Sequence, residues 1–132
     1  MQFEEFIRAV QERARLDSRD EAIAITQAVL ETLGERLDRK VRNGVEAQLP
    51  NELKEFLLAR KENADRYDLE EFYTRVAARA DLKSQAARER TAQVFSVLRE
   101  SIAGGELEDM MESLPGEYGR LFTQESPNQP RI

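Results

Sequence analysis

Apolar residues recur every three or four positions along most of the chain. Near its start Phe3, Phe6, Ile7, Val10 and Ala14 form a single stripe, the spacing of a short helix that turns one face to a core. Ser18, followed three residues later by Glu21, reads as a capping box. It opens a second and longest helix, in which Ala22, Ile25, Val29, Leu33 and Leu37 keep helical spacing and Ile23 and Leu30 widen the apolar face. This helix is expected to be central. Val41, Val45 and Leu49 mark a short third helix. Pro50 is placed as the first residue of a fourth, containing Leu53, Phe56 and Leu57, since proline's missing donor would go unpaired at that position anyway.

The pattern then recurs. Glu4, Glu5, Phe6, Val10, Arg13, Ala14, Leu16 and Ser18 return as Glu70, Glu71, Phe72, Val76, Arg79, Ala80, Leu82 and Ser84. After the loss of one residue, Thr26, Val29, Leu33, Glu35, Leu49, Pro50 and Glu52 return as Thr91, Val94, Leu98, Glu100, Leu114, Pro115 and Glu117. Conservative matches extend the series: Leu30 with Phe95, Leu37 with Ile102, Leu53 with Tyr118, Phe56 with Leu121 and Leu57 with Phe122. Most identities fall at apolar or capping positions, as a packing constraint would leave them after duplication. In the second copy Asp68 with Glu71 caps the first helix, Ser84 the second, and Pro115 opens the last.

The expected fold is therefore all-α, a tandem duplication of a four-helix unit packed as one helical bundle. The first helical repeat covers 1–60, a polar linker 61–67, the second repeat 68–123 and a disordered tail 124–132, where Pro127 and Pro130 cannot continue a helix. A unit of about 60 residues buries only ~60% of its unfolded surface, so the copies are expected to pack together. Two small bundles on a hinge are the alternative. Phe3, Phe6, Phe56, Phe72, Tyr73, Phe95, Tyr118 and Phe122 are assigned to the core, with Tyr73 bringing a hydroxyl where the first copy has Ile7.

Composition agrees with helix, since Leu, Ala, Glu and Arg dominate and β-branched runs are absent, and hydrophobic residues at 40% beside 35% charged leave enough apolar material for a core. The net charge of −6 opposes binding to nucleic acid or anionic membrane unless a basic patch intervenes. The start, MQFEEFIRAVQERARL, is broken by charge and reads as neither signal peptide nor membrane span, so a cytoplasmic location is expected.

With both repeats in view, the TQAVLETLGERL helix, the LPNELKEFL segment and the second-copy FSVLRESIAGGELEDMMESLP resemble the bacterial family catalogued as domain of unknown function 2267, from about Phe3 to Phe122. The resemblance implies a small helical bacterial protein with no assigned activity and no catalytic residues to carry over. Gly104, Gly105 and Glu106 match the family's usual turn, whereas the first copy has Arg39, Lys40 and Val41 there.

The chain has no histidine and no cysteine, which removes the usual triads, thiolate nucleophiles and zinc sites. Glu4, Glu5, Glu70 and Glu71 could form a carboxylate cluster for two metals, but the Glu-x-x-His motif of such bundles is impossible here. Complementing the helix dipole in first turns explains them better. Ser18 and Ser84 read as caps, and Gly104 and Gly105 as a helix C-terminal turn rather than a phosphate loop. No enzyme activity, metal or cofactor is expected.

Charge marks the candidate interaction residues. Arg36, Arg39, Lys40 and Arg42 form a basic stretch, while the matching stretch of the second copy carries Glu106, Glu108, Asp109 and Glu112. Such turns of opposite sign fit self-association or an acidic protein partner. The reading is a protein-protein interaction or adaptor module, with an enzyme or small-ligand protein of unrecognised site as the alternative. Weak nucleic-acid or lipid regulation through Arg36 to Arg42 comes third.

Overall fold

The computed structural model describes residues 1–61 and 65–123. Its elements are α1 (Phe3–Arg13), α2 (Arg19–Arg36), α3 (Arg39–Glu46), α4 (Asn51–Leu58), α5 (Leu69–Ala80), α6 (Ser84–Ser101), α7 (Gly104–Ser113), a 3₁₀ turn (Gly116–Tyr118) and α8 (Gly119–Thr123). The described residues contain no strand. None of these helices is long and apolar enough to cross a membrane. The expected tail at 124–132 lies outside the described residues, as do positions 62–64 of the expected linker.

Helices α2 and α6 are the centre of the molecule. From Ala28 to Arg36, α2 is buried on every side, which an amphipathic surface helix could not be. It packs against α1, α4, α5 and α6, while α6 packs against α1, α2, α5 and α8. Contacts between the halves come in matched sets: α1 lies on α6 as α5 lies on α2, α2 meets α6, and α3 meets α7. One apolar core results, to which Phe6, Val29 and Leu33 contribute alongside Phe72, Val94 and Leu98. Both Val29 and Val94 are fully buried. Edge-on ring contacts at 5.4–5.8 Å link Phe72 to Phe95 and Tyr118, and Phe95 to Phe122. Phe3 and Phe56 are only half-buried and meet at the rim of the core.

Gly34 has a packing role that periodicity does not display. A Cβ there would lie 1.7 Å from the carbonyl oxygen of Leu57, so α2 and α4 touch backbone to backbone. The helices α1 and α5 end alike. Arg15 and Asp81 both have φ of 55°, and the next amides, of Leu16 and Leu82, close back on the carbonyls of Gln11 and Ala77.

Several boundaries differ from the sequence expectation. Leu37 and Ile102 are extended residues just past α2 and α6, buried to 1% and 4% exposure; the core takes their side chains by ending each helix there. Gly104 and Gly105 consequently begin α7 rather than finish α6. Ser18 Oγ does accept from the Glu21 amide at 3.1 Å, and the Asp68 carboxylate from that of Glu71 at 2.9 Å. Ser84 is instead the first residue of α6, with Lys83 at the cap position, because the second stretch of sequence has lost one residue between Leu82 and the start of α6. Pro50 and Pro115 sit one residue before their helical turns. Tyr67, expected in a polar linker, is buried: its hydroxyl donates to the Thr32 carbonyl at 2.5 Å, and its carbonyl accepts from Arg36 and the Tyr118 hydroxyl.

Candidate functional site

Charged side chains fasten the two halves together. Glu35, on α2 and 3% exposed, accepts from Arg75 Nη1 at 2.7 Å and from Arg79 Nη2 at 3.0 and 3.2 Å, both arginines projecting from α5. Arg79 also donates to Thr32 Oγ1 at 2.8 Å. Burial alone would raise the Glu35 pKa, but the hydrogen bonds and charges of the two guanidiniums outweigh it and hold the carboxyl below its ordinary value. Arg75 stacks 3.9 Å from the Tyr67 ring centre and also reaches Glu71 and Asp65. Burial pushes the Tyr67 phenol well above its ordinary value, and that of Tyr118 up to about 12, so both remain neutral donors.

A second fastening mirrors the first. Arg13, on α1, donates to Glu100 at 2.5 Å and to Ser96 Oγ at 3.1 Å on α6. Arg13 and Arg79 are the same repeat position, as are Glu35 and Glu100, and each arginine pairs with the glutamate of the other half. These four residues are the ones that sequence reasoning passed over. The signal was available, since charged residues of opposite sign stood among identities that were otherwise apolar or caps.

The expected interaction residues are dispersed. Arg36 and Arg42 are each only 6% exposed and serve as internal donors: Arg36 to the Tyr67 carbonyl at 2.8 Å, and Arg42 to those of Gly34 and Lys61 at 3.2 and 3.0 Å. Arg39 and Lys40 are exposed, as are Glu108, Asp109 and Glu112, while Glu106 is half-buried. Because α3 packs on α7, the basic and acidic stretches adjoin within one chain, with the Glu106 carboxylate filling the space above Gly44. Glu4, Glu5, Glu70 and Glu71 do lie in first helical turns; Glu4 pairs with Arg19 and Glu70 with Arg88. No group of three or more carboxylates able to hold a metal occurs among the described residues. Tyr73 packs beneath Arg88, whose guanidinium lies 4.8 Å from the ring centre.

Among the described residues, three clefts lie elsewhere, where α1 and α5 cross α6 and α2. A cleft of about 310 Å³ between α2 and α5 is lined by Gln27, Glu31, Arg60 and Arg79 beside Ala24 and Ala28. It shares Ala24 with a cleft of about 280 Å³ that holds Glu21, Ile25, Ala80, Leu82 and Arg90. That one shares Arg90 with a third, of about 430 Å³, between α1 and α6, lined by Arg13, Ala14, Arg15, Ala86, Glu89 and Gln93. Five guanidiniums and three carboxylates thus line one interrupted groove. Arg60 is tied to Glu31 at 3.0 Å, and Glu31 also accepts from Gln27 at 2.8 Å. Arg13, Arg60 and Arg79 are held by Glu100, Glu31 and Glu35, whereas Arg90 has no ion pair among the described residues, and its planar donors suit bidentate capture of a carboxylate.

A family model described as uncharacterized conserved protein (DUF2267) matches residues 3–121. No curated protein matches the chain.

Proposed function

The chain belongs to this family of uncharacterized conserved proteins, and on that premise we propose that it is a tandem duplication of a four-helix unit acting as a binding module for an acidic segment of a protein partner. The duplication is supported by helices of equal length, α2 and α6 of 18 residues each, by matched contacts between the halves and by the exchanged pairs Arg13–Glu100 and Arg79–Glu35. Such an arrangement is that of a two-fold dimer whose subunits have become one chain.

The observation that carries the binding reading is the half-buried Arg90 guanidinium at the point where two of the clefts meet, without an ion pair among the described residues, on a chain whose net charge is −6. A guanidinium without an ion pair, set in a concave part of a negative molecule, gives an acidic segment one place of attraction on a surface that otherwise repels it. The module is read as non-catalytic, with binding as its whole activity.

Fluorescence anisotropy with a labelled Asp- and Glu-rich peptide of about a dozen residues tests this reading. Binding is expected at low salt, falling as salt screens the contacts over the ~8–10 Å Debye length, with none for a Lys-rich peptide of equal length. No binding at low salt, or equal binding of the Asn- and Gln-substituted neutral peptide, overturns it.

A further inference from the structure

The groove is not uniform, and its α1–α6 end is built differently from the matching α5–α2 end. At the α1–α6 end stand Arg15, Arg90 and Gln93. Their counterparts in the other half of the repeat are Asp81, Ile25 and Ala28. Packing does not demand Arg90 and Gln93, because the matched positions are filled by the apolar Ile25 and Ala28, while Arg15 is matched by a charge of the opposite sign.

Two of the three, Gln93 and Arg90, are also held at a disadvantage. Gln93 is 7% exposed, and its Oε1 is buried with no hydrogen-bond partner among the described residues, a state that costs free energy for any buried acceptor. The guanidinium of Arg90, half-buried in the middle of the groove, has neither ion pair nor hydrogen bond among the described residues. Unsatisfied polar groups gathered in one cleft mark a place where binding supplies what folding does not.

We propose that this cleft is the anchor subsite of the groove. It takes the carboxylate of one Asp or Glu side chain of the partner segment. Arg15 and Arg90 donate to the carboxylate oxygens, and the Gln93 carboxamide bonds the adjoining main-chain peptide unit, which offers it one donor and one acceptor. Arg13, already committed to Glu100 and Ser96, forms the wall behind them. Glu89 stays on the rim, where its carboxylate accepts from Gln85 Nε2 at 3.0 Å. The inference rests on the acidic-segment reading above and deepens it.

The test uses the full chain, the same acidic peptide and the variants Arg90→Gln, Gln93→Leu and Arg15→Gly, with Arg60→Gln as a groove residue outside the anchor. Binding is read by anisotropy and stability by urea unfolding of each variant. Arg90→Gln and Arg15→Gly are expected to weaken the peptide at least tenfold and Gln93→Leu severalfold. Arg60→Gln is expected to weaken it no more than twofold. Gln93→Leu and Arg15→Gly are expected to unfold at the wild-type urea concentration or higher, which separates lost binding from lost folding. Peptide binding unchanged in Arg90→Gln and Gln93→Leu overturns the anchor while leaving the groove reading intact. Absence of wild-type binding defeats the groove reading itself. Displacement of the peptide by equimolar inorganic phosphate overturns the carboxylate assignment.

Discussion

Glu35 and Glu100 occupy the same repeat position in two different settings, and replacing each by glutamine gives a controlled comparison. Glu35 has a side chain only 4% exposed and holds Arg75 and Arg79. Without its charge, Arg79 keeps only Thr32 Oγ1 as a partner, whereas Arg75 retains Glu71 at 2.8 Å and Asp65 at 3.3 Å. Breaking a buried pair costs about 3–5 kcal/mol when the remaining charge is stranded. The arginine heads here keep 17% and 24% exposure, so a lower figure, about 2–3 kcal/mol, is expected for Glu35→Gln. Glu100 is 48% exposed and pairs with one arginine, which places Glu100→Gln within the ~0–1 kcal/mol of surface pairs. With a urea m-value of about 1.5 kcal/mol/M, the midpoints should fall by about 1.3–2 M for Glu35→Gln and by under about 0.7 M for Glu100→Gln. Equal shifts, or a larger one for Glu100→Gln, would show that the Glu35 cluster is not the tighter fastening.

The acid limb of stability follows from the same carboxylate. Its folded pKa lies below the ordinary 4.5, so its contribution is complete above pH 4.5 and disappears as pH falls through the lowered value; urea midpoints taken across that range should fall less steeply for Glu35→Gln than for the wild type. Gly34→Ala sets a Cβ 1.7 Å from a backbone carbonyl that cannot step aside, and calorimetry should register a loss of about 2 kcal/mol or more. Gly44→Ala meets only the movable end of Glu106 and should cost under about 1 kcal/mol; the reverse order would mean that α2 and α4 are not in backbone contact. Thr26 and Thr91 are fully buried with hydroxyls lacking partners among the described residues, so Thr26→Val should be neutral or stabilise by up to about 1 kcal/mol, and a loss above that would reveal a bound partner for the hydroxyl.

The helices were legible because their apolar spacing is strong and their starts carry chemistry, as Ser18 and Asp68 illustrate. The ends were harder to place. Leu37 keeps helical spacing with Leu33, and only the depth of the core at that point decides that the chain straightens there. The charged residues were misplaced for a related reason. Arg36 and Arg42 read as surface because arginine usually is, yet a helix buried on all sides brings its own backbone carbonyls and those of neighbouring segments within reach of both. Glu35 and Arg79 carried a sequence signal in their recurrence, but pairing them required knowing that each half reaches across to the other. The groove had no signal of its own, since Arg15, Arg60 and Arg90 are far apart in the chain and meet only through the crossing of α1 and α5 over the central pair.

All of this depends on the two halves forming one cooperative body, because each end of the groove takes one wall from each half. Native-state hydrogen exchange measures that directly. Amides of Val29, Leu30 and Leu33 in α2, and of Val94, Phe95 and Leu98 in α6, are all buried in the shared core and should exchange through a single global opening with one common free energy. If the α2 and α6 sets open at free energies separated by several kcal/mol, the halves are independent and the account of both core and groove fails.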